Sequence, residues 1–352
     1  MKFALLNEGA AREGVDRPTI YREVIETIDA AEAASFDVFG CSEQHFWPDF
    51  DGLPAVATIP TPEIFYAIAA ERTERIGIRT AIATLPLRHP LLVAEQMATL
   101  DIVSGGRMQF GTGRGNSYLA ADAFGIPMGE THERWEESLR IIIGAWASEG
   151  DFSWDGKFFT VPPQPFPLKP LQDPHPPVLY AALSPKSHEL AGSLGLGLLT
   201  GTAGITLDKV AERIGLYRSA IKNAKPIPGK ANEYVSLTVL GHCHEDAAVA
   251  RAQGEQAFIN YYTAATMVYS ETVHRVDAAV DFSRIGAKYN FEDMAETAMI
   301  ICGDPDTWIK KIGELREVGI DELTINFAGV EHEAMLSAIE LLGREVFPRF
   351  RS

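Results

Sequence analysis

Apolar and polar positions along the chain fall into two alternating periods, and the alternation repeats. A short β-branched or aromatic run that reads as a strand is followed by a loop. A longer stretch then carries apolar residues at the spacing of one helix face. The first unit joins a strand at Lys2–Asn7 to a helix with Pro18 in its first turn and Ile20, Val24, Ile28 and Ala31 on one side. The second joins DVFGCSE, Asp37–Glu43, to a helix from about Pro62 to Arg72. The third strand is IGIRTAIATL, Ile76–Leu85, and its helix starts at Pro90 and stops before Gly105, the expected asymmetry of helix ends. RMQFGTG, from Arg107, is the fourth strand, followed by a helix over His132–Ser148.

A proline- and aromatic-rich interruption at about 151–177 reads as a hairpin and connecting arm. Alternation then resumes with strands at Pro177–Leu183 and Leu196–Gly201 and helices at Pro185–Leu194 and Leu207–Asn223. YVSLTVLG, from Tyr234, is the seventh strand, and a long helical and irregular segment runs from Glu245 to about Gly303. A helix over Asp304–Gly319 and the strand ELTINFAG, from Glu322, complete the pattern. Eight strand–helix units predict an α/β fold, a TIM-type parallel eight-stranded barrel with an insertion after strand 7. An open doubly wound sheet is the competing arrangement. No linker divides residues 1–352, so one domain is expected, with the arm at 151–177 and a lid or dimer arm at about 262–300.

Composition narrows the function classes. Hydrophobic residues make up 46% and charged residues 22%, enough for a large core. The formal net charge of −17 disfavours nucleic acid and anionic membrane as partners. It leaves room for a local phosphate site. The 3 cysteines, Cys41, Cys243 and Cys302, form no CxxC pair and no disulfide framework. The opening MKFALLNEGAAREG lacks a signal-peptide core and no apolar run would span a bilayer, so the expectation is a cytoplasmic protein.

In a barrel the chemistry lies at the carboxyl ends of the strands. Strand 2 leads there into Glu43, Gln44 and His45, a carboxylate, an amide and an imidazole that are either a site or a solvated turn. Strand 4 leads into FGTGRGN, where Gly111, Gly113 and Gly115 allow close approach of a ligand and Arg114 suits a phosphate or carboxylate; the plain reading is a tight turn with a solvated arginine. Strand 5 leads into ALSPKSHE, where Ser184 caps a helix and Ser187 lies in its first turn, either an anion site or only a cap. Strand 3 leads into small residues, Thr80, Ala81 and Ala83, against which a flat ligand could rest. His242 and His244 alternate as metal ligands would, but lack a third donor at a recognisable spacing, so no metal is expected; His89 and His132 read as structural.

These segments resemble the bacterial-luciferase-like flavin-dependent monooxygenases. The resemblance is carried in order by FDVFGCSEQHF, by the stretch GIRTAIATLPLRHPLLVAEQMATLDIVSGGRMQFGTGRG, by PPVLYAALSPKSHELAGSLGLGLL and by GDPDTWIKKIGELREVGIDELTINFAG. It implies that Arg114, Ser184 and Ser187 hold the phosphate of FMN and that Ala81–Ile82 is a non-proline cis peptide beneath the flavin ring. It further implies that His45, assisted by Glu43 or Gln44, handles a proton while reduced FMN and dioxygen oxygenate a small organic substrate through a peroxyflavin. A separate NAD(P)H:flavin reductase and a homodimer are implied as partners. Luciferase has two adjacent histidines where this chain has Gln44 and His45. That difference keeps open the reading of a non-catalytic flavin-binding protein, and similar barrels that use a deazaflavin for hydride transfer keep open a deazaflavin-dependent oxidoreductase of the same fold.

Overall fold

A computed structural model describes residues 1–49, 52–202, 204–227, 229–276 and 290–351. Eight parallel strands form the barrel: β1 Lys2–Asn7, β2 Val38–Cys41, β3 Gly77–Thr80, β4 Met108–Gly113, β5 Val178–Ala181, β6 Gly197–Gly201, β7 Val235–Cys243 and β8 Glu322–Asn326. Each pairs with the next, including β6 with β7 and β7 with β8. Pairing of β8 with β1, Lys2 opposite Glu322 and Leu6 opposite Asn326, closes the ring. The open-sheet alternative is thereby excluded.

The outer layer consists of α1 Arg17–Ala33, α2 Pro62–Arg72, α3 Pro90–Val103, α4 Thr131–Ala147, α5 Pro185–Ser193, α6 Leu207–Ile221, α7 Ala247–Val276, α8 Pro305–Glu317 and α9 His332–Leu341. Proline stands in the first turn of α1, α2, α3, α5 and α8, where its missing N–H costs no helical hydrogen bond. Outward residues of the strands meet these helices and the C-terminal turn at Phe347–Arg349. Phe3 stacks on Phe347 at 4.0 Å, and Tyr180 meets Trp135 at 4.2 Å. Such layers carry most of the apolar burial.

The lumen is more polar. Arg79 of β3 reaches Glu322 of β8, Nη1 to Oε1 at 2.6 Å, although the two strands are not neighbours. A contact between non-adjacent strands must cross the interior, which fixes Arg79, Glu322, Thr324 and Asn326 as inward residues by the two-residue period. Tyr234 donates to the other Glu322 oxygen at 2.9 Å, and Arg79 Nη2 donates to Thr324 at 3.0 Å.

Three expectations need correction. The second strand stops at Cys41 rather than Glu43, because the backbone there turns to pair elsewhere: Gln44 N–H donates to Ile59 O at 3.0 Å. The third strand is broken after Thr80 and resumes as Ala83–Thr84, paired with β4. Ile300–Gly303, read as part of a helical and irregular segment, is a strand on the far end of β7. A closing helix, α9, follows β8, as eight strand–helix units require. The hairpin of the arm is Asp151–Asp155 against Thr160–Pro165. Of the expected lid, α7 extends through Val276, while residues 277–289 lie outside those described.

Candidate active site

The exits of β2, β3, β4 and β5 bring the residues singled out from the sequence to one rim. Glu43 is buried and fully engaged. Its Oε2 accepts from Thr84 N–H at 2.9 Å, and its Oε1 meets Arg88 Nη2 at 2.8 Å and His45 Nε2 at 3.0 Å. Burial would lower the pKa of Arg88, but the Glu43 and Glu63 carboxylates outweigh it and hold the guanidinium above its usual value. Facing that cation, Glu43 is an acceptor, so His45 Nε2 carries the hydrogen. In the neutral ring Nδ1 would then carry the lone pair. The His45 ring stands edge-on to Phe124 at 5.2 Å. Gln44 turns elsewhere, accepting from Trp47 Nε1 at 2.9 Å.

The Ala81–Ile82 peptide is cis. Ala81 N–H donates to Cys41 O at 3.2 Å and approaches the buried Tyr66 hydroxyl at 3.3 Å, which fixes the chain at the strand break. The glycines of β4 serve this feature rather than leaving open space for a ligand. A Cβ on Gly111 would lie 2.0 Å from Thr80 O, and one on Gly113 would lie 2.2 Å from Ile82 Cδ1. Gly115, at φ +81°, makes the turn that follows.

Arg114 leaves β4 directly beside the exit of β5, since Thr112 is opposite Tyr180 in the register. Among the described residues its guanidinium enters no hydrogen bond and no ion pair, whereas Arg79 and Arg88 are both paired with carboxylates. Ser184 and Ser187 form a capping box at the start of α5, each side chain accepting from the other's backbone N–H, with their hydroxyls 3.0 Å apart. The cap reading is therefore realised. It sits beside Arg114 and adds the positive end of a helix to that corner.

Sequence reasoning missed several contributors. His132, read as structural, lies within electrostatic reach of both Arg114 and Lys186; burial first, and then these cations, hold its imidazole below the ordinary value despite Glu136. Arg88 and Thr84, the groups that fix Glu43, lie 45 and 41 residues away from it in sequence. Glu8 was also overlooked; it projects inward from the end of β1, buried, and accepts from Tyr261 and Asn326, both at 2.6 Å. An alternating read of β1 past Asn7 would have found it. His89 caps α3 through Leu91 N–H at 3.3 Å. His242 is taken up by Gln253 at 2.7 Å, and His244 accepts from Asp246 N–H at 3.0 Å.

Comparison with known proteins adds independent information. The family model described as luciferase-like monooxygenase matches residues 1–322. The oxygenase component of a flavin-dependent trigonelline monooxygenase from Acinetobacter baylyi is 25% identical over 94% of this chain and 90% of its own. An F420-dependent glucose-6-phosphate dehydrogenase from Amycolatopsis mediterranei is 25% identical over 94% of this chain and 95% of its own. Among solved structures, the oxygenating constituent of 3,6-diketocamphane monooxygenase from Pseudomonas putida, in complex with FMN, superposes with a TM-score of 0.78 at 21% identity, covering 99% of this chain and 98% of that one.

Proposed function

The chain belongs to the luciferase-like monooxygenase family, and on that premise we propose that it binds reduced FMN and uses dioxygen to oxygenate a small organic substrate. The observation that carries this reading is Arg114. A guanidinium with no carboxylate partner among the described residues, on a chain of net charge −17, stands beside a helix amino end and within reach of further cationic side chains. Such a corner suits a phosphate. Arg114 would donate to the phosphate together with the amino end of α5 at Ser184 and Ser187. Ala81 and Ile82 would support the ring, beside the two glycines that leave β4 without side chains there.

When bound, the flavin would supply the electrons that activate dioxygen, by way of a peroxyflavin. The protein's own contribution is positional. Glu43, immobilised by Arg88 and Thr84, holds His45 with Nδ1 free to accept or relay a proton at the rim. Gln44 cannot exchange a proton at neutral pH and serves to fix Trp47. Reduced flavin would come from a separate NAD(P)H:flavin reductase, a reading supported by a relative that is an oxygenase component. We also place the protein in the cytoplasm, and infer a homodimer that covers the exposed Ile64, Leu92 and Val103 of the touching helices α2 and α3.

One relative that depends on F420, a deazaflavin, favours a second reading, hydride transfer without oxygen. The deciding experiment measures binding of FMN and of F420, then oxygen uptake with reduced FMN across aldehydes, ketones and other small organic substrates. Tight FMN binding with substrate-dependent oxygen uptake supports the oxygenase. Preference for F420 with no oxygen uptake supports the dehydrogenase, and flavin binding with no turnover the non-catalytic alternative.

A further inference from the structure

Three buried glutamates lie at or below the barrel mouth, and they are not treated alike. Glu43 faces Arg88 and Glu322 faces Arg79. Glu8 has no such partner: among the described residues, no arginine, lysine or histidine comes within ion-pair distance of it. Its Oε2 accepts from Tyr261 of α7 and from Asn326 of β8, both at 2.6 Å. Asn326 cannot turn its carbonyl toward Glu8, because that oxygen is already taken by Ala328 N–H at 2.9 Å. Both neighbours are thus held as neutral donors.

Beside Glu8, the buried Ser42 hydroxyl has no partner at hydrogen-bond geometry, though it lies near enough to act electrostatically on the carboxyl. Asn7 is opposite Cys41 and Ala81 N–H bonds to Cys41 O, so Glu8, Ser42 and Ala81 follow in one row across β1, β2 and β3. Two strand spacings separate the first from the last, about 10 Å. The segment of α7 above this row is aromatic: Tyr261 and Tyr269 pack with Trp47 in one cluster. Burying a carboxylate without a countercharge is costly, and an acid beneath tyrosine and tryptophan rings is the arrangement that receives a nitrogen cation.

We propose that the organic substrate of this site carries a positively charged nitrogen, as an ammonium group or a cationic ring, which Glu8 receives beside Tyr261. Glu8 determines specificity and takes no part in holding the flavin. The inference rests on the oxygenase reading above and names the class of substrate.

The test is calorimetric titration with N-methylpyridinium and with toluene, its neutral isostere, of the apoprotein and the FMN-loaded protein, for the native chain, Glu8→Gln and Tyr261→Phe. The native protein should bind the cation about tenfold or more tighter than toluene. Glu8→Gln should abolish that preference while its FMN affinity and neutral-pH melting temperature do not fall, and Tyr261→Phe should reduce it. Equal affinities in the native protein, no binding of either probe, or a preference that survives Glu8→Gln would overturn the proposal. Should Glu8→Gln not fold, the two-probe comparison on the native chain still decides. FMN titration of the same samples reports separately: cation discrimination without FMN affinity would sink the oxygenase reading and leave Glu8's role standing.

Discussion

Arg79 and Glu322 meet across the lumen at 2.6 Å, both almost wholly shielded from water. Neither has room to regain solvent if the other is removed. Arg79→Ala should therefore cost about 3–5 kcal/mol, the range for stranding one member of a buried pair. Urea unfolding of the variant measures it, and a loss under about 1 kcal/mol would show that the pair is dispensable.

The same pair sets a pH dependence. Burial would raise the Glu322 pKa, but Arg79 and the hydroxyls of Ser236 and Tyr234 hold it below the ordinary 4.5. A depressed folded value means that the stabilisation is complete above 4.5 and disappears as the pH falls through the folded value. The stability difference between the native protein and Glu322→Gln should be constant near neutrality and shrink on acidification. A difference that persists unchanged to the acid limit contradicts this.

Glu8 should behave in the opposite sense. Burial, opposed by the hydrogen bonds from Tyr261 and Asn326 and by the nearby Ser42 hydroxyl, raises its pKa above 4.5. Its folded form prefers the proton, so stability falls as pH rises from 4.5 through the raised value. Glu8→Gln should gain melting temperature relative to the native chain at pH 8 and show no gain at pH 4. Parallel melting curves at both would refute the assignment.

Arg114→Ala removes a charge-assisted contact of roughly 1.5–3 kcal/mol, so FMN affinity should drop about tenfold or more. Because the guanidinium enters no hydrogen bond or ion pair among the described residues, the melting temperature without FMN should hardly move. Quenching of flavin fluorescence gives the affinity directly, and an unaltered dissociation constant would remove Arg114 from the phosphate site.

His45→Ala should leave FMN binding within about twofold while changing oxygen-dependent turnover by about a hundredfold, the usual scale for a lost acid–base group. Arg88→Ala should reproduce part of that loss by freeing Glu43. Turnover that is insensitive to both changes would assign the whole cluster to structure.

Much of this architecture is legible in the chain. The strand–helix periodicity gives the barrel because each strand needs a two-sided cover, and proline at helix starts marks five of the outer helices almost to the residue. The rim position of His45, Arg114 and Ser184 follows from the same count. What stays hidden has a common cause: partners distant in sequence. Nothing near Glu43 announces Arg88, and Ile300–Gly303 reads as irregular because its pairing depends on the far end of β7. The glycines of β4 signal a close approach correctly, but the approaching atoms are Thr80 and Ile82. Glu8 is missed because the loop beyond β1 looks polar and ordinary until α7 folds over it.

β7 continues past the ring and receives Ile300–Gly303 in register, Leu240 opposite Ile300 and Cys243 opposite Gly303. The long excursion that begins with α7 thus departs from and returns to a single strand, its two ends one interstrand spacing apart. An appendage anchored in this way can lengthen, shorten or exchange its contents without opening the ring beneath. Descendants of such a barrel could acquire a new specificity by rewriting that appendage, while the corner proposed here for the flavin phosphate, at the exits of β4 and β5, is inherited unchanged.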